Sequence, residues 1–252
     1  MPSSKLLVAR DYNQLSEIAA ERVLAAVERK PASNLLVPTG TSPIGMYEIL
    51  SQYGEAFGTA TFFNLDDFCE RVDGAWQLVP ETNPVSYRRF MQEHFFSSLD
   101  DPEFYFPGTE NKEHPGTYDR QIEEAGGIDL AILGVGPDGH YAFVFPEMPF
   151  DSVTQFTAMN DITRDVNAEL SGHPTPEYAI TVGHQTISDA RSILMLIPGE
   201  RKADIAARVL TESISPALPA TNLRNYPEKV TYILDAAAAS KLPKAMIASG
   251  QV

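Results

Sequence analysis

Short apolar runs alternate with amphipathic segments along almost the whole chain, and this alternation limits the fold more than any other feature. The runs are Lys5–Ala9, Asn34–Val37, Thr61–Leu65, Ile128–Val135, Tyr178–Val182, Ile193–Ile197 and Val230–Leu234. Runs this short with consecutive apolar residues read as strands buried on both faces, the usual state of parallel strands. Between them lie helical patterns. Asp11 and Gln14 have the spacing of a capping box, and Leu15, Ile18, Ala19, Val23, Ala26 and Val27 share one face of a helix reaching Arg29. Further helices are expected from Ile44 to Gln52, from Asn83-Pro84 with a buried stripe of Tyr87, Phe90, Met91 and Phe95, and from near Glu200 and Ala236. The pattern predicts an α/β chain: an open, mostly parallel twisted sheet with helices on both faces, Rossmann-like and three-layered.

With 252 residues and neither repeat nor linker, the chain reads as one domain over 1–252. The segment 146–176 is polar and weakly patterned. It is either a lid over the strand ends or an ordinary surface excursion. A net charge of −15 opposes nucleic acid and anionic membranes, although local groups could still hold a small anion. The single cysteine, Cys69, excludes an intrachain disulfide and suits a reducing cytoplasm. Met-Pro-Ser-Ser-Lys at the start lacks the apolar core of a signal peptide, and no run approaches transmembrane length.

Ligands of open α/β sheets bind beyond the carboxyl ends of strands, so the residues that follow each run are the candidates. Ala131–Phe143 ends its run in Gly134, Gly136 and Gly139, with Asp138 and His140 at the mouth. An acid and an imidazole there can bond each other and move protons near neutral pH. The glycines formally satisfy G-x-G-x-x-G. However, bulky Tyr141–Phe145 and then Pro146 stand where the dinucleotide fingerprint needs a helix, so they read as close-approach glycines. Thr39-Gly-Thr-Ser-Pro follows a strand and opens a helix, which makes it either a phosphate cradle or plain capping by Thr41 or Ser42. Lys202, beside Gly199, could supply its cation. Asp66 and Asp67 end another run, and adjacent carboxylates repel, so one can carry a raised pKa and serve as base. The other reading is capping by both. His94, His114, His173 and His184 lie far apart without metal-ligand spacing, and no serine nucleophile elbow is present.

Taken in order, these motifs resemble the glucosamine-6-phosphate deaminase (isomerase) family, whose wider superfamily includes 6-phosphogluconolactonases. Leu36-Val-Pro-Thr-Gly-Thr-Ser-Pro is similar to its phosphate loop, and Phe63-Asn-Leu-Asp-Asp-Phe to its Asn-hydrophobic-Asp-Glu-Tyr motif. Asn83–Met91 is similar to the helix that follows, and Gly134–Phe143 to its glycine-Asp-Gly-His segment. Tyr178–Gly183, Gly199–Lys202 and Pro219–Leu223 complete the series. The resemblance implies that Asp66 shuttles a proton between C2 and C1 and that His140, oriented by Asp138, opens the sugar ring. It gives the 6-phosphate to Thr39, Gly40, Thr41, Ser42 and Lys202, and counts Asp67 and Gly136 with the substrate-binding group. The implied activity is a cytoplasmic sugar-phosphate isomerase, converting an amino-sugar 6-phosphate to a ketose 6-phosphate with release of ammonia. No metal or organic cofactor is implied. The partner is a phosphorylated sugar, with neither nucleic acid nor membrane, and a homo-oligomer is compatible with it.

The chain departs from that pattern in places. Deaminases continue the histidine segment as Ala-Phe-Asn-Glu-Pro, whereas Ala142-Phe-Val-Phe-Pro146 puts Phe145 at the glutamate. Glu169 falls where the family has a lid arginine, and Arg164 is a substitute if the lid is shifted. Gln155 and Thr157 stand at two basic positions of the allosterically regulated members, so such regulation is not expected. The Phe145-Pro146 ending is similar instead to the lactonases, in which the histidine activates water. A 6-phosphogluconolactonase-type hydrolase and a catalytically weakened sugar-phosphate-binding protein are therefore the alternatives.

Overall fold

The computed structural model describes residues 3–108 and 114–252. In chain order its elements are β1 (Lys5–Ala9), α1 (Tyr12–Arg29), β2 (Asn34–Val37), α2 (Ile44–Leu50), β3 (Thr61–Asn64), β4 (Asp66–Val72), β5 (Ala75–Leu78), α3 (Tyr87–His94), β6 (Glu103–Tyr105), α4 (Thr117–Glu124), β7 (Leu130–Gly134), β8 (Gln155–Ala158), α5 (Asp161–Ser171), β9 (Tyr178–Thr181), α6 (His184–Ser188), β10 (Ser192–Ile197), α7 (Ala203–Thr211), β11 (Val230–Asp235) and α8 (Lys244–Ser249).

Seven strands form one parallel sheet in the order β1-β11-β10-β7-β2-β3-β6. Strand alternation sends neighbouring side chains to opposite faces. Leu36, Phe63, Ala131 and Leu133 pack with Tyr118 of α4 and Ile205 and Val209 of α7. Leu35, Phe62, Leu130 and Ile132 pack with Leu15 and Val23 of α1, Tyr47 of α2 and Met91 of α3. Burying each such large apolar side chain contributes roughly 1.5–3 kcal/mol, so both faces need their helical cover. This is the expected three-layer α/β architecture.

A second sheet was not expected. Strands β5-β4-β9-β8 pair antiparallel. The run at Tyr178 is therefore a strand as read, but it belongs to this small sheet: an apolar run signals burial and does not name its neighbours. Likewise Asp66 and Asp67 do not end a strand; they begin β4. Leu65 is the hinge between the sheets. Its N–H donates to the Val37 carbonyl at 3.2 Å and its carbonyl accepts from Val182 at 2.9 Å.

Several helix boundaries also differ. Asp11 caps α1 as read, accepting from the Gln14 amide at 2.9 Å, while the Gln14 side chain reaches back to the Arg10 amide. The Asn83-Pro84 start lies early, because Asn83 forms a local turn to Val85 and Ser86 is the cap of α3. At Glu200 a single 3-10 turn precedes α7. After β11 another 3-10 turn, Ala238–Lys241, precedes α8. Segment 146–176 contains β8 and α5.

Candidate active site

The strand order fixes where the site lies. From β2 the chain proceeds to β3 on one side, and from β7 to β10 on the other, so the sheet reverses direction of travel between β2 and β7. A crevice opens beyond the carboxyl ends at such a reversal. Beyond the ends of four adjacent strands, β10, β7, β2 and β3, lie Lys202, Gly136 with Asp138 and His140, Thr39–Ser42, and Asp66, the first three groups in loops and Asp66 at the start of β4. All of these except Asp138 line one pocket, covered by α5 through Thr163, Val166, Asn167 and Leu170, and Asp67 lies outside it.

The loop after β2 is pinned from below. The Tyr12 hydroxyl donates to the Thr41 carbonyl at 3.1 Å and accepts from the Gly45 amide at 2.9 Å, and the Tyr47 hydroxyl donates to the Pro38 carbonyl at 2.6 Å. Gly40 has φ +84°, a conformation that glycine adopts without strain. Lys202 reaches across from the neighbouring loop, its Nζ donating to Ser42 Oγ at 2.9 Å. Its turn is held by Asp235, which accepts from Gly199 at 2.8 Å and from Ala238 at 2.7 Å. Burial brings the Lys202 ammonium down to about 8, so it is charged at neutral pH. The result is a small polar cup with one cation.

Asp66 and Asp67 part company in β4. Asp66 faces the pocket, and burial, reinforced by the negative charge of Asp67, holds its carboxyl well above the ordinary range. Asp67 has no exposed surface and points away from the cup. Its oxygens accept from the Phe68 amide at 2.9 Å, the Tyr87 amide at 3.1 Å and Arg88 Nε at 2.9 Å. Burial lifts it to about 6, against the opposing charge of Arg88 and the amides. Asp67 thus anchors the start of α3. Expected among the substrate-binding residues, Asp67 lies outside the pocket lining, with hydrogen bonds to Phe68 and to the start of α3.

His140 sits in the loop after β7, closed by a bond from the Gly136 amide to the His140 carbonyl at 2.8 Å. Its Nδ1 bonds Asp138 Oδ1, which also accepts from the His140 amide at 3.2 Å. Burial pushes the Asp138 carboxyl up, but the bonds and charge of His140, with help from Asn160, bring it down to about 2. An ionised carboxylate only accepts, so Nδ1 carries a proton and a neutral ring leaves Nε2 free as an acceptor. Gly136 leaves room for the ring: a Cβ there would lie 2.0 Å from the imidazole. Gly139 lies at φ +85° beneath Leu218, and turns follow it rather than a helix, unlike the dinucleotide fingerprint.

The sequence reading missed some of the lining. Tyr87, read only as core, lines the pocket; burial, then the charge of Asp66, holds its phenol well above the ordinary range, with a bond to Thr39 opposing. Its helical spacing resembles that of any core aromatic, so no local signal sets it apart. The α5 residues fall on a stripe that only the folded position of the helix reveals.

The Glucosamine-6-phosphate isomerases/6-phosphogluconolactonase family model matches residues 10–232. The chain belongs to that family. It is 35% identical over 250 residues to a glucosamine-6-phosphate deaminase of Geobacillus sp., covering 95% of this chain and 96% of the relative. A deaminase of Rhodopirellula baltica is 36% identical over 248 residues, covering 94% and 95%. Among solved structures, a monomeric glucosamine-6-phosphate deaminase superposes with a TM-score of 0.86 at 29% identity, over 94% of this chain and 99% of that one. The 6-phosphogluconolactonase of Trypanosoma brucei shares the fold, with a TM-score of 0.74 at 18% identity over 96% and 100%.

Two departures from the family pattern take physical form. Phe145 is buried with its ring edge-on to His140, centroids 5.1 Å apart, so an apolar wall replaces a carboxylate. Glu169 is exposed and outside the pocket lining, to which α5 contributes Thr163, Val166, Asn167 and Leu170 instead. Arg164 does not line the pocket either. Among the described residues no three metal-ligating side chains cluster, and no helix is long and apolar enough to cross a membrane.

Proposed function

We propose that the chain converts a 2-amino-hexose 6-phosphate, glucosamine 6-phosphate first among them, to the ketose 6-phosphate with release of ammonia. The observation that carries this reading is one pocket holding Asp66, the His140 ring and the Ser42–Lys202 cup together. The cup receives the phosphate, for which a buried ammonium and small hydroxyl residues are suited. His140 Nε2 takes the O1 proton of the cyclic sugar and delivers it to O5, which opens the ring. Asp66, ionised, takes the C2 proton while O1 gains one from the substrate's own ammonium group, leaving a neutral enolamine. A carboxylate held above its ordinary range is the stronger base for that transfer. Asp66 returns the proton to C1. Water then adds to the imine carbon C2, and ammonia departs to leave the ketone.

The reading rests on this geometry and on the deaminase relatives, which cover nearly the whole chain. A phosphosugar substrate and a reaction in the cytoplasm accord with it. The Phe145-Pro146 corner is the feature shared with lactonases.

The test is ammonia release from glucosamine 6-phosphate by the purified chain, with Asp66→Asn alongside. Turnover lost in the variant supports the assignment, and turnover retained overturns Asp66 as base. A folded wild type that releases no ammonia overturns deamination and turns the question to lactone hydrolysis.

A further inference from the structure

The Asp138–His140 pair has a third partner, at the start of α5. Asn160 is the N-cap of α5, its Oδ1 accepting from the Thr163 amide at 2.8 Å. Its Nδ2 simultaneously donates to Asp138 Oδ2 at 2.8 Å. The two Asp138 oxygens are thereby divided: Oδ1 serves His140 and Oδ2 serves the lid. Apart from Asn160, the wall beside the ring is the apolar edge of Phe145. The charged or titratable groups sharing the pocket are Asp66, Tyr87 and Lys202, and Tyr141 is turned away to His184.

We infer that Asn160 is a positioning residue that holds Asp138 in the rotamer that keeps the proton on His140 Nδ1, and that ties this state to the seating of α5. The inference rests on the acid–base role of His140 proposed above. A carboxylate anchored at one oxygen only can rotate about its side chain, and the imidazole then samples both tautomers. A carboxamide anchored at both ends removes that freedom. Because the same side chain caps α5, a displaced lid also releases the pair. The lid and the acid–base group therefore share one hydrogen-bonded joint.

Two substitutions separate the joint from the cap. Asn160→Ser keeps an N-cap acceptor but lacks the amide that reaches Asp138. Asn160→Asp keeps the cap and turns an acceptor with like charge toward Asp138. In Asn160→Ser, kcat for ammonia release should fall about 10–100-fold, the usual loss when an outer partner of a functional histidine is removed. The Michaelis constant and melting temperature should stay close to wild type. Asn160→Asp should fall at least as far. The imidazole ¹⁵N shifts of His140, recorded on the full chain without substrate, should show one Nδ1-protonated tautomer in wild type and a mixture in Asn160→Ser. An unchanged tautomer in Asn160→Ser, or a kcat equal to wild type, overturns the inference. If wild type releases no ammonia, the proposed function fails, while the ¹⁵N spectra still decide whether Asn160 positions the pair.

Discussion

Asp66 and Asp67 are adjacent in β4, yet one carboxylate faces the pocket while the other is sealed against Arg88 at 2.9 Å. The half-turn between successive strand residues produces the division. Burial, and then the sealed negative charge of Asp67, holds Asp66 well above the ordinary range, so a carboxylate behind the strand contributes to the strength of the proposed base.

Removing the cation should therefore do two things. Arg88→Ala leaves Asp67 buried without its partner, which costs about 3–5 kcal/mol at pH 7. The loss should shrink toward pH 4. Without Arg88 the folded-state pKa of Asp67 rises beyond its present value of about 6, above the unfolded carboxylate. A group raised in the folded state contributes stability below its unfolded pKa and loses it as pH rises through the folded one. Urea unfolding of both proteins at pH 4 and pH 7 checks this; an equal deficit at the two values would show that Asp67 is not the charge involved.

The contact between Gly136 and His140 gives a second expectation. A methyl group at Gly136 would fall within 2.4 Å of three imidazole atoms, so the ring must move. The backbone at Gly136 is not in the left-handed region, so strain is not the cause. Gly136→Ala should keep the fold while lowering kcat by about 100-fold, the scale of a 1 Å misplacement at a reacting group. Circular dichroism and turnover measured together would test it, and full activity would show that His140 has room to yield.

Lys202 supplies a pH dependence on the alkaline side. Its ammonium titrates near 8 in the free protein, so the charge is present below that value and lost above it. The Michaelis constant for a phosphorylated sugar should rise above about pH 8. Lys202→Arg, which stays charged, should flatten the rise, though its fork fits the cup less well. A wild-type constant that is flat from pH 7 to 9.5 would remove Lys202 from phosphate binding.

How far the sequence foretold this arrangement depends on which signal each feature leaves. Leu35-Leu36 and Ala131–Leu133 are apolar at every position because both sheet faces are covered, so the central strands are legible. Ala75–Leu78 and Glu103–Tyr105 are short edge strands without such runs, and only their partners make them strands. The polar residues after β2, β3, β7 and β10 were legible as candidates because they follow apolar runs directly. That they sit on four adjacent strands was not, since strand order is a long-range property. Asn160 illustrates the same limit: its capping role follows from the helix it precedes, while its bond to Asp138 spans 22 residues.

Helix α5 separates two residues, Asn167 and Glu169, that lie two positions apart in the sequence. Asn167 lines the pocket and its Nδ2 is buried with no hydrogen-bond partner among the described residues. Thr163, one turn earlier, is in the same position with its Oγ1. A buried donor in that state is stabilised when a ligand oxygen reaches it, and one such bond contributes about 0.5–1.5 kcal/mol. Asn167→Ala should therefore raise the Michaelis constant by up to about tenfold on that scale. Glu169→Ala, on the exposed side of the helix, should change it by no more than about twofold, as for an ordinary surface substitution. Steady-state kinetics on the two variants decides between the faces. A large effect at Glu169 with none at Asn167 would mean that α5 turns its other side to the bound sugar.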